Sequence, residues 1–162
     1  MADRLYTLLV VCTGNTCRSP LAEAVARREL EARGWRDRVR VLSAGTGAFP
    51  GMGASEGSVT VASRHGLALE DHRSSPLTPE LAQEADLSLG LSPGHVIRAR
   101  ELAPEARVEL LGSFARESEG PAGLSVPDPI GAPLEVYEET YQVIEELVTQ
   151  AMERLEETVR AR

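Results

Sequence analysis

Short apolar runs alternate with longer amphipathic stretches along this chain. Leu5 to Val11 has the character of a buried strand, and Val39 to Ser43, Asp86 to Leu91 and Val108 to Leu111 are three more short strands. The segments between them carry helix punctuation. Pro20 to Gly34 is predicted as a helix with Ser19 as N-cap, Pro20 at its first position and Gly34 as its stop. Ala54 to His65 is helical and ends at Gly66. Thr78-Pro79-Glu80 and Ser92-Pro93 repeat the cap-proline signature, the second opening a helix toward Leu102. Leu134, Tyr137, Tyr141, Ile144, Val148, Met152, Leu155 and Val159 form one apolar stripe at helical spacing. The Gly-rich stretch from Gly45 to Gly53 and the Gly/Pro/Ser-rich stretch from Glu117 to Pro133 are loops. Strands alternating with helices predict an α/β, three-layer fold. It has a parallel sheet of about four strands with helices on both faces, and ligands at the carboxyl ends of the strands.

Length and composition narrow this further. The 162 residues suit one domain spanning 1–162, and with only 4% aromatic residues the core must be mostly Leu, Val and Ala. A net charge of -8 argues against nucleic acid as a partner. The one basic cluster, Arg33 to Arg40, is broken by Asp37 and reads as a solvated helix end and turn. The apolar run near the start is too short to span a bilayer, and Met1-Ala2-Asp3-Arg4 lacks the shape of a signal peptide, so the expected location is cytoplasmic, away from the membrane. Every basic residue is Arg, and the only Asn is Asn15.

The two cysteines, Cys12 and Cys17, are too close to staple a fold. With three scattered histidines they also lack zinc-ligand spacing, so no metal is expected. They lie in Cys12-Thr13-Gly14-Asn15-Thr16-Cys17-Arg18-Ser19-Pro20, which joins a strand end to a helix start. That junction is where an anion site is expected. Gly14 and Asn15 both tolerate left-handed backbone angles, which let a loop curl its N–H groups around an anion. Arg18 offers a planar fork for two phosphate oxygens. Cys12 would sit beneath the phosphorus, its thiolate stabilised by the loop, the helix N-terminus and Arg18, with Ser19 able to bond it. A lone Cys beside a helix cap is more often a small core residue. The Arg at this spacing and the strand–loop–helix setting point to a nucleophile instead. Asp128, in Val126-Pro127-Asp128-Pro129, is a proline-flanked Asp that by itself reads as a turn residue.

The Cys12–Pro20 run resembles the signature of the low-molecular-weight protein-tyrosine-phosphatase family. The resemblance continues through Ser43-Ala44-Gly45-Thr46, Ser74-Ser75-Pro76-Leu77-Thr78 and Asp128-Pro129, and covers essentially the whole chain. It implies a compact α/β fold, no metal or cofactor, a phosphocysteine intermediate and phosphorylated proteins as partners. On that resemblance Asp128 is the general acid, and Asn15, Ser19, Ser43 and His72 hold the loop. Phe49 and Ile130 line the pocket, Ile130 where many members carry Tyr or Phe. Cys17 is either a disulfide partner for Cys12 or a buried small hydrophobe. His65 and His95 are read as structural or solvent-facing, and Asp86 as structural.

Thr16 stands where typical tyrosine phosphatases of the family have Ile, and resembles the protein-arginine-phosphatase branch. Phosphotyrosine and phosphoarginine therefore both stay open as substrates. An arsenate reductase would need a relay cysteine beyond Cys17. A non-catalytic phosphoprotein-binding module would not need Cys12, Arg18 and Asp128 together, and a flavin-binding protein would have no use for the Cys/Arg pair.

Overall fold

The computed structural model describes residues 4–116 and 125–162. Its elements are β1 (Tyr6–Cys12), α1 (Arg18–Ala32), β2 (Val39–Gly45), α2 (Glu56–Arg64), α3 (Pro79–Glu84), β3 (Leu87–Gly90), α4 (Pro93–Leu102), β4 (Val108–Leu110), α5 (Leu111–Arg116), α6 (Leu134–Arg154) and α7 (Glu156–Arg160). The four strands pair in parallel in the order β2-β1-β3-β4. Parallel strands need crossovers, and the helices supply them.

β1 sits inside the sheet and is buried at every position, which explains its unbroken apolar character. Its side chains alternate between two cores. Tyr6, Leu8, Val10 and Cys12 pack with α1, α2, α5, α6 and α7, while Leu9 and Val11 pack with α3 and α4. Each fully buried Leu or Val contributes roughly 1.5–3 kcal/mol. The chain leaves β1 toward β2 on one side and later returns to β3 on the other. The carboxyl end of β1 is therefore the point where strand order reverses, the place at which sheets of this kind bind ligands.

The three-layer expectation holds, with local differences. The first helix begins at Arg18, two residues earlier than predicted, and its N-cap is Cys17, without a side-chain cap bond. Ser19 is instead turned inward and fully buried. Helix α5 was not anticipated, since its six residues include Gly112 and lack a cap signal. Burial of Leu111, Phe114 and Ala115 holds it against α6. The C-terminal stripe spans two helices rather than one. At Leu155 the amide is shared between the carbonyls of Ala151 and Met152, which tightens the turn, and Leu155 and Val159 remain buried beyond it. Within the predicted loop from Glu117 to Pro133, residues 117–124 lie outside the described set, and 125–133 are irregular or turn.

Candidate active site

Residues 13–17 leave β1 at its carboxyl end and curl into α1. Asn15 is the only non-glycine residue with a positive φ, 56°, among the described residues. Gly14 was expected to share that role and does not, so one left-handed residue suffices for the curl. Asn15 is held from all sides. Its Nδ2 donates to Ser19 Oγ at 2.7 Å and Ser43 Oγ at 2.9 Å, and its Oδ1 accepts from the Ser75 amide at 2.8 Å. Its carbonyl accepts from His72 Nε2 at 2.7 Å, which places that ring's proton on Nε2. A fully buried amide satisfied this way rigidifies the loop rather than penalising it.

Cys12 lies at the base, 2% exposed. Its Sγ is 2.8 Å from Ser19 Oγ and accepts from the Asn15 amide at 3.3 Å. The amides of Gly14, Thr16 and Cys17 have no acceptor among the described residues and lie beside the N-terminus of α1, the positive end of its dipole. Gly45 allows the loop to lie this close to β2. A Cβ there would stand 2.4 Å from the Thr13 carbonyl oxygen and 2.9 Å from the Asn15 nitrogen.

Arg18 is 5% exposed and tightly committed on one side. Nη1 donates to Ser92 Oγ and to the Val126 carbonyl, both at 3.0 Å. Nη2 reaches Thr13 Oγ1 at 3.5 Å and lies 3.7 Å from Asp128 Oδ2. Nε has no acceptor among the described residues, so Nε and Nη2 form the open edge of the guanidinium. The other carboxylate oxygen, Asp128 Oδ1, accepts the Ile130 amide at 3.1 Å. Asp128 is thus both a turn residue and a carboxylate pointed at the loop, with 43% of its side chain exposed.

Cys17 Sγ donates to Ser55 Oγ at 3.2 Å and lies 3.7 Å from the Tyr137 hydroxyl, and both cysteines are free thiols. The Tyr137 ring packs where a Cβ on Gly57 would come within 2.7 Å, so that glycine admits α6 to the back of the loop. Burial, ahead of its other contacts, pushes the Tyr137 phenol up. Thr16, within the same loop, is half-buried.

The rim is open. Phe49 and Ile130 are exposed, as is Met52, which sequence reading did not single out. Phe49 and Met52 stand on a loop fastened to Ser74. The Ser74 amide donates to the Met52 carbonyl at 2.7 Å, and its hydroxyl bonds the Phe49 carbonyl.

Sequence reading also missed Ser92 and Val126 as anchors of Arg18 and His95 as a neighbour of the loop. A cap serine, a loop valine and a lone histidine carry no local signal for such contacts. His95 is 5% exposed, and its Nε2 is 2.9 Å from Thr13 Oγ1. Burial, then the charge of Arg18, push it down to about 4, with Asp128 opposing. His65 is structural: it stacks on Tyr141 with ring centroids 4.0 Å apart and lies 2.6 Å from Glu138. Asp86 pairs with Arg4 and accepts the Thr7 amide at 2.7 Å, a structural role.

A parallel α/β sheet with a buried cysteine and an arginine at either end of an anion-type loop defines a class of phosphate-handling enzymes. The profile of the Low molecular weight phosphotyrosine protein phosphatase family matches residues 7–161, and the chain belongs to that family. It is 43% identical over 148 residues to a Low molecular weight protein-tyrosine phosphatase A of Mycobacterium bovis, covering 90% of this chain and 88% of that protein. Among solved structures it is similar to a YwlE arginine phosphatase, a cysteine-to-serine mutant with a phosphorylated active-site serine. The TM-score is 0.87 at 34% identity, covering 96% of this chain and 99% of that one. It is also similar to the tyrosine phosphatase Wzb of Escherichia coli K30 in complex with sulphate, with a TM-score of 0.81 at 32% identity, covering 94% and 99%.

Proposed function

We propose that residues 1–162 act as one cysteine-dependent protein phosphatase domain in which Cys12 is the nucleophile, Arg18 the phosphoryl clamp and Asp128 the general acid. The observation that carries this is the placement of Cys12 Sγ at the base of a loop whose Gly14, Thr16 and Cys17 amides are open, beside an arginine whose Nε has no acceptor among the described residues and whose Nη2 makes only longer contacts, to Thr13 and Asp128. Loop amides and guanidinium bind the phosphoryl oxygens and stabilise their charge as the bond to the leaving group breaks. Cys12 Sγ attacks phosphorus, and Asp128 gives its proton to the departing oxygen. The ionised carboxylate then takes a proton from water, whose oxygen attacks phosphorus and releases Cys12 as thiolate. Ser19 Oγ, 2.8 Å from the sulfur, supports that departure. Asn15, Ser43 and His72 keep the loop in shape, and Thr13, Gly14, Thr16 and Cys17 complete it.

The substrates are phosphorylated proteins of the phosphotyrosine type, with Phe49 and Ile130 flanking the phosphorylated side chain. A second reading, phosphoarginine, is favoured by Thr16, a half-buried hydroxyl-bearing residue within the loop, and by the likeness to the arginine phosphatase. The acidic net charge suits proteins rather than nucleic acid as partners, and the proposed place of action is the cytoplasm. Among the described residues no helix is long and apolar enough to cross a membrane.

Rapid quenching with labelled aryl phosphate tests the nucleophile. Label should be trapped on Cys12, and Cys12→Ser should abolish turnover while retaining phosphate binding. Label on Cys17 would overturn the assignment. Run side by side on phosphotyrosine and phosphoarginine peptides, Thr16→Ile should shift the rate ratio toward phosphotyrosine. An unchanged ratio removes the second reading's support from Thr16.

A further inference from the structure

Thr13, Arg18, Ser92 and His95 close a ring of polar contacts beside the phosphate loop, and one member of that ring has no part in the chemistry above. The Nδ1 of His95 accepts the backbone N–H of Ser92 at 3.0 Å. A ring nitrogen that accepts an amide hydrogen carries no proton, so the proton of the neutral imidazole is on Nε2. Nε2 therefore donates to Thr13 Oγ1, 2.9 Å away. Its two partners are the residues whose hydroxyls touch the guanidinium. Ser92 Oγ accepts from Arg18 Nη1 at 3.0 Å, and Thr13 Oγ1 meets Nη2 at 3.5 Å.

We propose that His95 is a positioning residue for Arg18, holding Ser92 with one imidazole nitrogen and Thr13 with the other so that the guanidinium presents its Nε–Nη2 edge to the phosphoryl group. The inference rests on the reading of Arg18 as the phosphoryl clamp.

Both Nη1 hydrogens are already committed, to Ser92 Oγ and the Val126 carbonyl. Those bonds tether one corner of the guanidinium. The orientation of its working edge depends on the other corner, where Thr13 is the nearest hydroxyl. Thr13 is exposed at the mouth of the site, and its side chain can rotate to present a methyl group instead. The bond from His95 selects the rotamer that turns the hydroxyl to Arg18. The backbone is shaped for this contact. A Cβ on Gly90 would stand 3.1 Å from the His95 Cβ and 2.9 Å from Val96 Cγ2, so a glycine at the end of β3 lets the first turn of α4 come close enough for His95 to reach the loop. The depressed basicity of His95, down to about 4, keeps the ring neutral, and hence one acceptor and one donor, at neutral pH. Arg18 disfavours its charge and Asp128 favours it.

Two substitutions separate the two arms of the imidazole. His95→Asn keeps an acceptor near Nδ1 for the Ser92 amide and loses the donor to Thr13. His95→Gln extends an amide N–H toward the Nε2 position. The readouts are melting temperature, kcat and KM on p-nitrophenyl phosphate, and the inhibition constant of inorganic phosphate, which reports the clamp directly. H95N should melt within about 2 °C of the parent. Its phosphate inhibition constant should rise about 10-fold, as loss of a supporting contact does at other tightly organised sites, and H95Q should recover most of that loss. In a Thr13→Val background, His95→Asn should have no further effect on phosphate, because the two act through one contact. An unchanged phosphate constant in H95N, or losses that add fully in the double mutant, would overturn the proposal. If H95N does not fold, Thr13→Val alone, which leaves α4 intact, must raise the phosphate constant, and no rise overturns it equally. Arg18→Lys is the control for the underlying reading. If it is as active and as phosphate-sensitive as the parent, the clamp assignment itself fails. If it is crippled while H95N is normal, only the role of His95 is lost.

Discussion

Asn15, on the floor of the site, is fully buried and directs its side-chain amide into bonds with Ser19, Ser43 and Ser75, whereas Phe49, on the rim, leaves 78% of its surface in water. The same contrast runs through their neighbours. Arg18, Ser19 and Cys12 are buried and bonded, while Met52 and Ile130 are 56% and 63% exposed. Asp128 stands between the two regions, bonded to its own turn through one oxygen and near Arg18 through the other. On the proposed reading the floor handles the phosphoryl group, which is the same in every substrate, and any displacement there harms all of them. On the same reading the rim meets the part of the substrate that differs, and its exposed side chains can change without disturbing the fold. The loop beneath Phe49 and Met52 is nonetheless fastened to Ser74, so the apolar rim is presented on a firm backbone.

The largest effect that sharpens this contrast is expected from Asn15→Ala. It leaves the Ser75 amide without its acceptor, frees two serine hydroxyls and places Ala at a positive φ, costing about 2–4 kcal/mol. Thermal melting should register the loss, and kcat should fall about 100-fold on every substrate as the loop shifts. A variant with the parent's melting temperature and rate would show that the floor is not under this constraint.

Asp128→Asn should come next, and selectively. Esters with poor leaving groups should slow by about 100-fold, and p-nitrophenyl phosphate far less, since its leaving group needs little protonation. Equal slowing of both would reduce Asp128 to its turn role and send the search for the acid upstream. Glu119 is the nearest carboxylate in that direction, and it lies outside the described residues.

The smallest effect should come from the rim. Phe49→Ala should change stability by no more than about 0.5 kcal/mol and leave the inhibition constant of phosphate untouched. It should lower kcat/KM on a phosphotyrosine peptide by about 10-fold, the scale set by lost apolar contact. A drop in melting temperature, or weaker phosphate binding, would break the division between floor and rim.

Much of the fold was legible because parallel strands buried on both faces read as unbroken apolar runs and because the helices carry cap, proline and glycine signals. The four strands fall within a residue or two of their expected bounds. Short α5 was not legible, since six residues held by tertiary burial have no periodicity to detect. The Cys12–Arg18 loop was legible because its partners are neighbours in the chain, so spacing alone places them.

The sequence by itself determined the fold class, the strand–loop–helix junction at Cys12 and a cysteine and an arginine at phosphate-loop spacing, while Asp128 read by itself as a turn residue and took the acid role only from the family resemblance. It could not decide that Ser19 turns inward rather than capping α1, because a serine before a proline carries the same local signal in either role. Nor could it show that Ser92, Val126 and His95 gather around Arg18 and Thr13, from 74 to 108 residues away. Contacts of that separation arise when β1 and β3 pair side by side and bring the start of α4 to the end of β1. Local propensity has no knowledge of that pairing. Only burial of the shared sheet brings those side chains within hydrogen-bonding distance.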